Sequence, residues 1–299
     1  MTRENQDILC IGSVLWDIIG RSPRDMRAGN DMPGRITRIP GGVAMNIAMT
    51  LARFGLRPVL LSALGRDAAG DELVKAAQDM GLVTDHIYRS ARPTDAYMAI
   101  EGANGLIAAI ADAHSLEEAG DAIVSSLRDG TLGSTDAPYT GCIALDGNLT
   151  EALLEQIALD PAFSKADLRV APASPGKAER LRAVIRHKGA TLYVNLEEAE
   201  LISGARRLRT AKDGAKALLD AGAQRVIVTH GSQTACDACA SDIYEAAPPP
   251  VVAKRITGAG DTFMAAHIAA ELQGRSRANA IEFAQKTAAA YVAGDDRYA

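Results

Sequence analysis

Along the 299-residue chain, short runs of consecutive apolar residues alternate with longer segments in which apolar side chains recur every three or four positions. The first pattern suits strands buried on both faces, and the second suits helices packed against them. Strand-like runs fall at 7–11, 58–63, 142–145, 168–171, 191–194 and 225–229. Between them the spacing predicts helices over 43–54, ending near 80, starting at 150, and over 175–187, 197–203 and 210–221. Strand and helix in alternation predict a parallel, doubly wound α/β sheet.

Two segments break that rhythm. Residues 18–40 hold Gly, Pro and Arg without helical period, and 94–112 holds two strand-like runs around Asn104-Gly105, a hairpin signal. Together, at about 14–40 and 94–112, they are expected to form a small β-strand lid inserted in one domain spanning 1–299. Exposed strand edges in such a lid invite pairing with a second copy, a homodimer. Ser115-Leu-Glu-Glu118 has the form of a capping box opening a helix to about 126, residues 234–250 read as a hairpin ending in three prolines, and a last helix is expected over 277–293.

Polar residues gather where the strands end. After the first strand comes Asp17; before the helix at 43 stand Gly41 and Gly42, with Asn46 one turn in. Later strands end in Asp146-Gly-Asn148, Ser174 with Lys177, Asn195-Leu-Glu-Glu198 and Thr229-His-Gly231. Ligands of open α/β sheets bind at this end of the strands. Near the C-terminus Thr257-Gly-Ala-Gly-Asp261 precedes a helix whose Met264, Ile268 and Leu272 predict an amphipathic element starting near Gly260. A glycine turn at a helix N-terminus suits an anion such as phosphate. Asp261 is then either a helix cap or a carboxylate acting on an attacking hydroxyl or a bound cation.

Composition narrows the classes. With 47% apolar and 23% charged residues the chain is ordinary for a soluble globular protein, and a net charge of −5 argues against nucleic acid as the main partner. The polar start runs straight into a strand and no apolar run is long enough to span a bilayer, so a cytoplasmic location is expected. Cys10 and Cys142 fall in strand-like runs, while Cys236 and Cys239 form one CxxC with no partner pair at zinc spacing.

Gly41-Gly-x-x-x-Asn-x-Ala48 and Thr257-Gly-Ala-Gly-Asp-Thr-Phe263, with Asn195-x-x-Glu198 and Thr229-x-Gly231 between them in order, resemble the signatures of the ribokinase-like (phosphofructokinase-B) family of sugar and nucleoside kinases. The resemblance implies a Rossmann-like domain with a β lid, dependence on ATP and Mg2+, and phosphoryl transfer to a small-molecule nucleoside or sugar. Neither GxxxxGK[ST] nor GxGxxG occurs. By resemblance, Asp261 is the catalytic base and the N–H groups of Gly258, Ala259 and Gly260 its anion hole. Asp17, Gly41, Gly42 and Asn46 would hold the acceptor's hydroxyls. Glu198, with Asn195, would anchor Mg2+ through water, and Thr229, Gly231 and Thr257 would meet the nucleotide phosphates. Arg255 stands where sugar kinases of the family often carry Asp, which leaves activation by a monovalent cation open. Thr94-Asp-Ala-Tyr-Met-Ala-Ile-Glu101, Gly105 to Asp112, Leu145-Asp-Gly-Asn-Leu149 and Ala173-Ser-Pro-Gly-Lys177 are most similar to the pseudouridine kinases, with Tyr97 then expected over the base. A catalytically silent nucleoside-binding homologue is the alternative from another class.

Overall fold

In the computed structural model, which describes residues 7–27 and 29–295, strand β1 (Asp7–Ile11) leads outward into β2 (Leu15–Arg21) and β3 (Arg35–Gly41), and helix α1 (Val43–Arg53) brings the chain back to β4 (Arg57–Leu61). A small annexe follows, β5 (Ala63–Gly65), α2 (Ala68–Asp79) and β6 (Tyr88–Ser90), and then the hairpin β7 (Ala96–Gly102) and β8 (Gly105–Asp112). From α3 (His114–Ala119) the units run β9 (Cys142–Asp146), α4 (Glu151–Leu159), β10 (Asp167–Ala171), β11 (Ala190–Asn195), α5 (Leu196–Ser203), α6 (Ala211–Asp220) and β12 (Arg225–His230). Antiparallel β13 (Gln233–Cys239) and β14 (Ile243–Ala246) and the helices α7 (Ala259–Leu272) and α8 (Arg277–Val292) complete the described chain.

Eight strands form one sheet in the order β14-β13-β12-β11-β10-β9-β1-β4, parallel from β4 to β12. Alternate residues of each strand feed opposite faces. Leu9, Ile11, Ile143 and Leu145 pack with α4, α5 and α6, whereas Ile8, Cys10, Cys142 and Ala144 pack with α1, α7 and α8. Burial on both faces is why these strands read as unbroken apolar runs. The α/β, Rossmann-like doubly wound reading holds. Because β4 lies on one side of β1 and β9 on the other, the order of winding reverses beside β1, where a crevice opens at the strand ends.

The segments that broke the rhythm meet in a second sheet, β3-β2-β7-β8, in which β2 and β7 run parallel although 80 residues separate Arg21 from its hydrogen-bonded partner Glu101. Its register sets Asp17 directly beside Tyr97.

Three local readings change. Ser115 is not a cap: α3 starts one residue earlier, and the Asp95 carboxylate accepts from the N–H groups of Ser115 and Leu116 at 2.8 and 3.0 Å, doing the capping from outside the helix. The helix expected over 175–187 is instead a run of 3₁₀ turns (Pro175–Ala183), since its buried residues Ala178, Leu181 and Val184 recur every third position, the 3₁₀ repeat. Helix α7 is not amphipathic, because every residue from Thr262 to Ala270 is buried between the sheet and its neighbours α1 and α8.

Candidate active site

A cavity of about 1170 Å³ occupies the crevice at the strand ends, roofed by the β2–β7 side of the second sheet and floored by the N-terminus of α7. That volume accommodates two small ligands side by side. Asp17, Gly42, Asn46, Tyr97, Asn195, Glu198, Thr229, Gly231, Thr257, Gly258, Ala259, Gly260 and Asp261 all line it. Gly41 does not. It is buried behind Asp17, where a Cβ would stand 2.0 Å from the Asp17 carboxylate, so its bare backbone makes room for that side chain.

Asp261 stands in the first turn of α7, and the Asn46 amide on α1 donates to its Oδ2 at 2.8 Å. Loss of water in the cavity floor pushes its carboxyl up to about 7; the Asn46 bond opposes this, and Asp146, Asp17 and Glu198 add repulsion. Oδ1 remains for an incoming proton. Desolvation also lifts Asp17 to about 6 and raises Glu198 and Tyr97.

The turn ahead of α7 depends on Gly258, which has φ +85°, a left-handed conformation that costs little for glycine alone. Among the described residues the N–H groups of Gly258 and Gly260 have no protein acceptor, whereas Ala259 donates to Ile256 O at 3.0 Å. The turn therefore offers two of the three N–H groups expected. Tyr291 of α8 braces it, donating to Thr257 O at 2.7 Å, while Arg255 stacks on the Tyr291 ring at 3.9 Å and donates to the carbonyls of Tyr291 and Asp295.

On the opposite wall Asn195 and Glu198 cap α5 reciprocally: Asn195 Oδ1 accepts from Glu198 N at 2.9 Å and Glu198 Oε2 from Asn195 N at 2.8 Å. This N-terminal box explains the same sequence pattern structurally, yet among the described residues it leaves Glu198 Oε1 and the Asn195 amide N–H uncommitted in two residues that line the cavity. One carboxylate oxygen suits a cation that keeps most of its waters, as Mg2+ does. Thr229 Oγ1 is only 3.5 Å from Val194 O and is half-buried beside Gly231 (φ +54°).

Sequence reasoning passed over Ser13. Its Oγ donates to the buried Asp146 at 2.5 Å and accepts from Val43 N at 2.9 Å, tying β1 to β9 across the winding reversal. The position before it must be glycine, because a Cβ on Gly12 would stand 2.2 Å from the Asp146 side chain. That glycine at a strand end was the available signal. The cysteines are all free, and Cys236 and Cys239, three apart on β13, are buried and half-buried respectively. Asp237, His267 and Glu271 could hold a metal by their spacing, but Arg225 and Arg277 bind Asp237, and Arg169 and Arg225 bind Glu271.

The model for the pfkB family of carbohydrate kinases matches residues 5–295. The chain belongs to this family. It is thus a phosphotransferase acting on a hydroxyl acceptor. The kinase is 29% identical to a pseudouridine kinase of Escherichia coli K12, over 95% of this chain and 89% of that one. Among solved structures it is similar to a carbohydrate kinase from Agrobacterium tumefaciens, with a TM-score of 0.80 and 25% identity over 98% and 92% of the two chains. It is also similar to a putative ribokinase II from E. coli in complex with ATP and Mg2+, with a TM-score of 0.76 and 18% identity over 97% and 93%. No helix among the described residues is long and apolar enough to cross a membrane.

Proposed function

We propose that this kinase moves the γ-phosphoryl group of ATP to the 5′-hydroxyl of pseudouridine, with Asp261 as general base. The observation that carries the catalytic half is the Asn46-held carboxyl of Asp261, with its pKa at about 7, beside the two uncommitted N–H groups of Gly258 and Gly260. The hydroxyl oxygen forms the new P–O bond, its proton passes to Asp261 Oδ1, and the bond to the β-phosphate breaks with its electrons leaving on ADP. A base near neutrality is matched to that task. The N–H groups of the turn face developing negative charge, where fixed donors are most effective. Asp17, Gly42 and Asn46 hold the acceptor hydroxyls; Asn195, Thr229, Gly231 and Thr257 attend the nucleotide. Glu198, with Asn195, would hold Mg2+ through water, and that ion would supply neutralisation of phosphate charge.

The acceptor assignment rests on two supports. The named relative is a pseudouridine kinase, and the residues of this chain that resemble such enzymes, Tyr97, Asn148, Ser174 and Lys177, line the same cavity. An ATP-consumption screen with pseudouridine, uridine, adenosine, ribose and fructose 6-phosphate tests it. Pseudouridine is expected to give the highest kcat/KM, and preference for ribose would overturn the assignment.

We read the chain as one kinase domain with the four-stranded sheet as its lid, and a second copy as the lid's partner. Ile36, Met98, Ile100 and Ile110 share the face away from Asp17 and are 77, 46, 40 and 69% exposed. A contiguous apolar patch of this kind is a binding surface. Sedimentation equilibrium should return a dimer, and Ile110→Lys should return a monomer.

A further inference from the structure

Six carboxylates line the cavity, Asp17, Glu101, Glu197, Glu198, Glu200 and Asp261, but only one lysine or arginine among the described residues, Lys177. Its setting is built rather than incidental. The buried Asp146 accepts from Ser13 N at 2.8 Å and Asn148 N at 2.8 Å, and the Asn148 amide donates to both Asp146 oxygens and to Ser13 Oγ at 3.0 Å. Both amide hydrogens of Asn148 are thereby spent, which turns its Oδ1 the other way. Lys177 donates to that Oδ1 at 2.5 Å. The segment leading to Lys177 passes through Ala173 at φ +70°, a left-handed conformation that is costly for a residue with a Cβ, and packs against Gly147, where a Cβ would stand 2.6 Å from Pro172 O.

An ammonium has three donors and a carbonyl oxygen two lone pairs. After their mutual bond, Lys177 keeps two hydrogens and Asn148 Oδ1 one lone pair, side by side on the cavity wall. Through Ser13 Oγ the pair is joined to Val43 N, next to Gly42, so it belongs to the acceptor half of the cavity. A donor beside an acceptor matches a C(=O)–NH edge. A phosphorylated sugar, by contrast, would meet one cation among six carboxylates.

We infer that Lys177 and Asn148 Oδ1 form the subsite that reads an imide edge of the acceptor's base, Lys177 donating to a carbonyl oxygen and Asn148 accepting from the adjacent N–H. This rests on the pseudouridine reading above and adds the residues that would separate a nucleoside from a bare sugar. A charge-assisted hydrogen bond of this kind is worth roughly 10- to 100-fold in affinity.

Titration calorimetry on wild type, Lys177→Met and Lys177→Arg, with pseudouridine, ribose and ATP, tests the inference. Lys177→Met is expected to weaken pseudouridine binding at least tenfold while ribose and ATP affinities hold, so the preference for nucleoside over ribose falls by the same factor; Lys177→Arg recovers part of it. Equal weakening of ribose and pseudouridine, or loss of ATP affinity alone, would assign Lys177 to general structure or to phosphate charge and overturn the proposal. A wild type that fails to bind pseudouridine overturns the substrate reading and this subsite with it. A wild type that binds it, with both variants unchanged, overturns the subsite alone.

Discussion

Asn46 on α1 and Asp261 on α7 are joined by a 2.8 Å hydrogen bond across a sequence separation of 215 residues, and that bond fixes which oxygen of the carboxylate is left to react. It also opposes the desolvation that lifts Asp261 toward neutrality. The first glycine-turn signature thus acts directly on the proposed base.

Replacing the base separates chemistry from stability. Asp261→Asn should lower kcat by about 10²–10⁴ while leaving nucleoside binding largely intact. Because the folded pKa of about 7 lies above the ordinary value of 3.8, the charged form is disfavoured in the fold, and the native state loses stability as pH rises between the two. The neutral amide should therefore raise Tm at pH 8, by about 2–4 °C for each ~1 kcal/mol relieved. Calorimetry and steady-state kinetics on one preparation check both.

The pH profile carries the same signature. With Asp261 as the proposed base, activity requires its ionised form, so kcat/KM should fall as pH drops through about 7. Asn46→Leu removes a donor to the charged form, which should move that limb to higher pH as well as weaken acceptor binding. A limb that stays in place in Asn46→Leu would detach it from Asp261.

The anion turn should tolerate no side chain at Gly258. A Cβ there would stand 2.6 Å from the Tyr291 hydroxyl, at a backbone φ of +85°. Gly258→Ala is expected to cost at least tenfold in kcat, and Tyr291→Phe, which loses only the bond to Thr257 O, a smaller share. Single-turnover rates at saturating ATP measure this step.

Metal dependence should map to the opposite wall. EDTA is expected to abolish turnover. Glu198→Gln should raise the Mg2+ concentration for half-maximal rate while keeping α5 folded, since an amide oxygen can still accept from Asn195 N. Circular dichroism separates that outcome from unfolding.

At the other end of the sheet the buried charges govern stability. Burial alone would raise the Asp237 carboxyl, but hydrogen bonds from Arg225 and Arg277, with His267 Nε2 3.8 Å away, hold it far below the usual carboxylate range. Stability it contributes is present above the unfolded carboxylate pKa and lost on acidification below it. Asp237→Ala leaves arginines facing a void and should cost about 3–5 kcal/mol, read by urea denaturation at pH 7.

Much of the site was legible in the chain because its chemistry is local: a glycine turn followed by Asp261 at a helix start, and Asn195 three residues before Glu198. Readings failed where a partner distant in sequence supplied what the local pattern lacked. Asp95 caps α3 in place of Ser115, from 20 residues away. Ser13 and the orientation of Asn148 stayed hidden because their meaning comes from Asp146, 133 positions from Ser13.

By itself the sequence determined the strand and helix alternation, the two glycine turns and the family they resemble, since periodicity and backbone freedom are properties of neighbouring residues. Only the tertiary structure decided that α7 is buried all round, that Gly41 serves Asp17 rather than the cavity, and that Asn46 holds Asp261. Those facts depend on which surfaces exclude water together, and a parallel sheet brings such surfaces together from segments that lie far apart in the chain.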